Sequence, residues 1–196
     1  MSNDLIEILL PALQMIVNAL LVVLCLRLIA QACQVNPYNP YVAVLIRVSD
    51  AVAGPWRAIL PRTRRFDLAT FAAMLTVQLL YIVFILYLLG ALSGFNFPVA
   101  VMWASLGIAG LTIDLLFICI IGMIIVSFVA PHSTHPGVEL LWQITEPVMA
   151  PVRQILPPMG GLDFSPIVVF IAINIISNSL TKIAVAVSYP GWVIGL

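Results

Sequence analysis

The stretch Pro55-Trp56-Arg57-Ala58-Ile59-Leu60-Pro61 returns 96 positions later as Pro151-Val152-Arg153-Gln154-Ile155-Leu156-Pro157. An acidic residue precedes each copy by the same interval (Asp50, Glu146), and an aspartate follows each at the same distance (Asp67, Asp163). Aligned without a gap over residues 48–67 and 144–163, Val52, Pro55, Arg57, Ile59, Leu60, Pro61 and Asp67 all recur. The chain reads as a tandem duplication, with a first unit over residues 1–96 and a second over 97–196.

Working outward, the 196 residues are 63% hydrophobic and 8% charged, with a mean hydropathy of +1.16. A soluble domain carries about 25% charged residues, so a membrane protein is expected. The formal net charge of zero leaves no excess of Lys and Arg for a phosphate backbone, which excludes nucleic acid as a partner. Cys25, Cys33 and Cys119 have no paired spacing and read as packing residues.

Four apolar runs, near residues 7–30, 68–92, 99–129 and 167–188, reach the ~20 residues that a helix needs to cross a bilayer. In lipid they must be helices, because an isolated strand leaves its backbone groups unpaired. Ala30-Gln31-Ala32 resembles a signal-peptidase site, but Asp4 and Glu7 stand where a signal peptide is positive, so the first run reads as a span. Arg47, Arg57, Arg62, Arg64 and Arg65 all lie between the first and second runs. The positive-inside rule then makes that loop cytoplasmic and both termini periplasmic. A duplicated unit of two spans inserts the same way twice, so the repeats are parallel.

Before each motif, Tyr41, Leu45, Val48 and Val52, and then Leu141, Ile144 and Val148, fall at helical spacing. The expected unit is span, cytoplasmic interfacial amphipathic helix, Pro-rich turn, span. Pro40 and Pro136 open the amphipathic helices, while Pro55 and Pro151 end or kink them. Within the motif two prolines bracket a turn around an arginine that keeps its charge. Arg57 and Arg153 then either bind lipid phosphate or a partner carboxylate, or clamp the fold through Asp50, Asp67, Glu146 and Asp163. Asp67 suits a helix N-cap. In the second copy Ser165 is the better cap, with Pro166 at the first helical position. Arg62, Arg64 and Arg65 suit anionic lipid as well as setting topology.

Inside the membrane, Asn174, Ser177, Asn178, Thr181 and Lys182 form one polar stripe on the fourth span. Asp114 lies in the third span, and counting from the cytoplasmic helix ends puts it level with Lys182. Asn18 and Gln78 are the first-copy equivalents of Asp114 and Asn174. This layer reads either as a solute or ion pathway between the repeats or as interhelical glue, with Gly107 and Gly110 allowing close approach. His132 and His135 match no metal motif. No catalytic constellation, cofactor motif or metal set is visible, and the expectation is a non-enzyme.

Residues 144–157, Ile-Thr-Glu-Pro-Val-Met-Ala-Pro-Val-Arg-Gln-Ile-Leu-Pro, followed by Gly160-Gly161-Leu162-Asp163-Phe164-Ser165-Pro166-Ile167, resemble the signature of the YggT (YlmG-like) integral membrane proteins, double-repeat bacterial type. The first copy departs from it at Ala51 and at Ala69-Thr70. The resemblance implies the bacterial inner membrane and a link with osmotic or ion homeostasis, division, or assembly of membrane complexes. It implies no agreed activity.

The expectation is therefore an all-α protein with four transmembrane helices in two tandem parallel repeats, associating with other membrane proteins or with itself. A small ion or solute channel between the repeats is the alternative.

Overall fold

The computed structural model describes residues 3–61, 63–130, 132–156 and 164–196, and side chains from Leu9 onward within them. These form six α-helices: α1 (Asn3–Ala32), α2 (Pro40–Arg57), α3 (Leu68–Leu88), α4 (Phe97–Val129), α5 (Pro136–Ile155) and α6 (Ser165–Ala186). Four are long and apolar enough to cross a membrane, over Leu9–Ala32, Leu68–Leu88, Phe97–Val129 and Ser165–Ala186.

The helix starts show why the chain breaks where it does. Asn39 Oδ1 accepts the Tyr41 N–H at 3.0 Å and His135 Nδ1 accepts the Gly137 N–H at 3.1 Å, each just before a proline in the first turn. An N-cap followed by proline satisfies one free donor and removes another. Asn39 and His135 are themselves 96 positions apart, so the caps belong to the repeat. The second-copy cap differs from expectation, since α6 takes in Ser165 and places Phe164 at its cap position.

Pro55 lies inside α2, Pro147 and Pro151 lie inside α5, and the helices run on to Arg57 and Ile155. The motif is therefore a helix end rather than a turn bracketed by prolines. Pro55 and Pro151, two and four residues before these ends, each remove one helical hydrogen bond near the C-terminus, and Pro147 removes one further in. α2 has a buried face beside the apolar stripe read for the membrane interface. That face is Val42, Ser49 and Ala53, while Tyr41 and Val48 stay exposed. Small side chains let the helix lie close against the bundle, and the Ser49 hydroxyl donates to the Ile46 carbonyl at 3.0 Å, which removes the cost of burying it.

The core packs α1 against α3 and α4. Leu21, Leu24, Cys25, Met74 and Ile85 lie fully buried there, and a satellite of Ile82, Ala100 and Ala104 joins α3 to α4. On the motif end α2 and α5 lie together: Asn39 Nδ2 donates to the Pro136 carbonyl at 2.7 Å, and Gln143 Oε1 accepts the Asn36 N–H at 2.8 Å. α6 is peripheral. It touches α4 and α5, makes no contact with α1, and buries only Ser165, Val169 and Ala184.

Candidate functional site

The first motif copy builds an ionic cluster. Arg57, at the last turn of α2, pairs with Asp50 two turns earlier and with Asp67 Oδ2 at 3.4 Å. Arg27 near the end of α1 reaches the same Asp67 oxygen at 3.8 Å. Asp67 also caps α3, where Oδ1 accepts the Thr70 N–H at 3.1 Å and Oδ2 accepts the Thr70 hydroxyl at 2.7 Å. Burial pushes the Asp67 carboxyl up, but the Thr70 hydrogen bonds and the positive Arg57 and Arg27 outweigh it and hold its pKa below the usual range. Two arginines meet two acids, and beside them opens a cavity of about 380 Å³ lined by Gln31, Leu60, Pro61 and Thr63. The sequence reading missed Arg27 as a member; its signal was a lone charge in an apolar run.

The second copy is built differently. Arg153 Nη1 donates to both Glu146 oxygens, at 3.0 and 2.8 Å, in a pair that remains substantially exposed. At the position of Arg27 stands Met123, which lines an apolar groove of about 570 Å³ with Ile124, Trp142, Met149, Arg153 and Phe170. Pro157, Asp163 and Arg62 lie outside the described residues. Arg64 and Arg65 are exposed.

The intramembrane polar residues do not form one layer. Gln78 is fully buried and its Nε2 donates to the Ile194 carbonyl at 2.7 Å. After α6 the chain folds back into the bundle, where Tyr81 Oη donates to the Trp192 carbonyl at 2.9 Å, and Trp103 Nε1 donates to the Val187 carbonyl at 3.1 Å. Gly107 and Gly110 make room for this segment, and Gly107 also for the Gln78 side chain of α3. A Cβ on Gly107 would meet the Ile194 carbonyl oxygen, and one on Gly110 the Gly195 carbonyl oxygen. Side chains supply the hydrogen bonds that lipid cannot, which is what non-helical backbone needs at membrane depth. Asn18 and Asp114 share a groove of about 270 Å³ beside the same segment.

Asn174, Asn178 and Lys182 lie elsewhere, exposed on the outer side of α6. Asn174 Nδ2 donates to its own helix at the Phe170 carbonyl, 2.8 Å away. Asp114 and Lys182 make no ion pair with any described residue. Their heights differ from the expected ones. Phe117 meets Phe170 with ring centroids 5.2 Å apart, and in this antiparallel pair Asp114 falls level with residue 173, nine residues or ~13 Å below Lys182. The miscount comes from α4, whose 33 residues span ~50 Å and overshoot a ~30 Å hydrocarbon core.

This architecture defines a multi-pass helical membrane protein made of two tandem units. A family model described as CCB3/YggT matches residues 6–88 and again 102–184, the same offset as the motif, and the chain belongs to that family. It is similar to an uncharacterized protein of Pseudomonas aeruginosa, 34% identical over 164 residues that cover 84% of this chain and 83% of the relative. It is also similar to the uncharacterized protein YggT of Escherichia coli K12, 29% identical over 177 residues covering 87% and 88%. These relatives carry no enzymatic name. No solved structure matches the chain.

Proposed function

We propose that this protein is non-catalytic and acts by association within the bacterial inner membrane, in the assembly or organisation of membrane protein complexes. One observation carries the reading: Asn174, Asn178, Thr181 and Lys182 lie exposed on a helix that crosses the bilayer. Amides facing lipid forgo hydrogen bonds that another helix supplies, and Lys182, four residues before the end of α6, extends the polar face to the level where a lysine reaches the interface. A polar face turned outward is explained by a partner.

The platform of α2 and α5, taken as cytoplasmic, offers a second contact region through exposed Tyr41, Val44 and Val48. Arg64 and Arg65 beside it suit anionic headgroups. A role in osmotic or ion homeostasis would follow from whichever complexes are organised. The channel reading has less support, because the polar residues divide among the Gln78 contact, the Asn18–Asp114 groove and the outer face of α6.

The test is native electrophoresis of solubilised membranes with Asn174→Leu, Asn178→Leu and Lys182→Leu combined. The expected result is a shift from a larger species to a single chain. If wild type and variant both migrate as single chains, the reading is wrong. Liposome ion flux abolished by Asp114→Asn would favour the channel instead.

A further inference from the structure

The duplication gives every contact inside the first unit a counterpart position in the second. α3 meets α4, the first helix of the next unit, in a defined register: Ile82 packs with Ala100 and Ala104, and a Cβ on Gly107 would lie 2.7 Å from Gln78 Nε2. Moved by 96 positions, the α3 face of Gln78, Ile82 and Leu86 becomes Asn174, Asn178 and Lys182. The polar stripe is thus the face that in the first unit holds the next unit. In the second unit that face is uncovered, and α6 does not touch α1.

The same shift names what would cover it. Ala100, Ala104 and Gly107 of α4 correspond to Asp4, Ile8 and Pro11 of α1. This side of α1 leaves Pro11 and Met15 exposed. In the α3–α4 register, Asn174 falls opposite Pro11, and Lys182 falls opposite the first turn of α1, whose sequence holds Asp4 and, one turn on, Glu7. The counterpart of Lys182 in α3 is the neutral Leu86, and that of Asp4 in α4 is the neutral Ala100. Opposite charges therefore stand in the sequence at the two positions that this register would bring together.

We infer that the polar face of α6 packs against α1 of a second copy of this chain, in the register that α3 keeps with α4 within one chain. The inference rests on the association reading above and names its partner. The contact is heterologous, joining different faces of the two copies, so it closes only if two copies exchange it reciprocally and otherwise propagates along the membrane.

The experiment uses disulfide cross-linking in native membranes. Cys25, Cys33 and Cys119 are replaced by Ala, and Met15→Cys is placed in one tagged chain and Ile171→Cys in a co-expressed chain with a different tag. Both positions are exposed in the single chain, and the register sets them opposite each other. The expected result is a covalent species carrying both tags, with neither cysteine linking to its own kind. Lys182→Glu weakens it about tenfold, as losing ~1.4 kcal/mol would, and Asp4→Lys in the Met15→Cys chain restores it. If the cysteine-free background migrates differently from wild type, a photo-cross-linker at position 171 of the wild-type chain replaces the disulfide, and the linked peptide is expected to come from α1. Linkage of Ile171→Cys to itself would mean an α6–α6 contact and overturn the inference. Absence of any cross-link while a larger native species persists overturns it and leaves association with a different protein. Absence of both overturns the two readings together.

Discussion

Asp67 does three things with two oxygens: it caps α3, pairs with Arg57, and draws in Arg27. Because its folded pKa is lowered, its contribution to stability is present above the unfolded carboxylate value, ~4, and is lost as pH falls through the lower folded value. Asp67→Asn is expected to cost about 1–3 kcal/mol at neutral pH and progressively less below pH ~4, as seen by thermal unfolding in detergent at several pH values. A deficit that does not change with pH would remove the ionic part of the account. The two motif arginines should differ as well. Arg57→Ala leaves the nearly buried Asp67 with Arg27 and Thr70 as its remaining partners and costs about 1–3 kcal/mol, whereas Arg153→Ala breaks a pair with substantial exposure and costs no more than about 1 kcal/mol through it. The same unfolding measurement ranks them.

At the scale of elements, the segment after α6 depends on the two glycines of α4. Gly107→Val places side-chain atoms where the Ile194 carbonyl sits, so residues 189–196 should leave the bundle. Faster proteolysis of that segment, with the other helices still protected, would show it. Gln78→Leu should release the same segment more mildly, about 0.5–1.5 kcal/mol, because the Ile194 carbonyl keeps the Tyr189 hydroxyl as a donor at 3.0 Å. The spans and the proline-opened helices were legible because hydropathy and N1 proline act locally. The destination of Gln78 was not, since its acceptor is a backbone carbonyl 116 residues further on. Periodicity likewise found the stripe of Asn174, Asn178 and Lys182 but had no means of saying which way it points. That depends on α6 having a neighbour on one side only. Helix-end counting misplaced Lys182 against Asp114 because α4 is longer than the bilayer is thick. The Asp50–Arg57 and Glu146–Arg153 pairs could be read from their matched seven-residue spacing, whereas the share of Asp67 taken by Arg27 needed α1 to be packed beside α3.

At the scale of the molecule, the two units are alike in sequence order and unlike in surroundings. The first is enclosed by α4 and the returning segment, and its equivalent face is apolar around the single buried Gln78. The second ends in an uncovered helix with amides in the bilayer and a lysine near its end. That asymmetry carries the view that the chain is built to be joined at membrane depth. The most direct measurement is the number of fluorophore bleaching steps per particle for singly labelled chains in liposomes at low protein-to-lipid ratio, for wild type and for the combined Asn174→Leu, Asn178→Leu and Lys182→Leu variant. The account predicts two or more steps for wild type and one for the variant. One step for wild type, with the variant unchanged, would contradict self-association through α6.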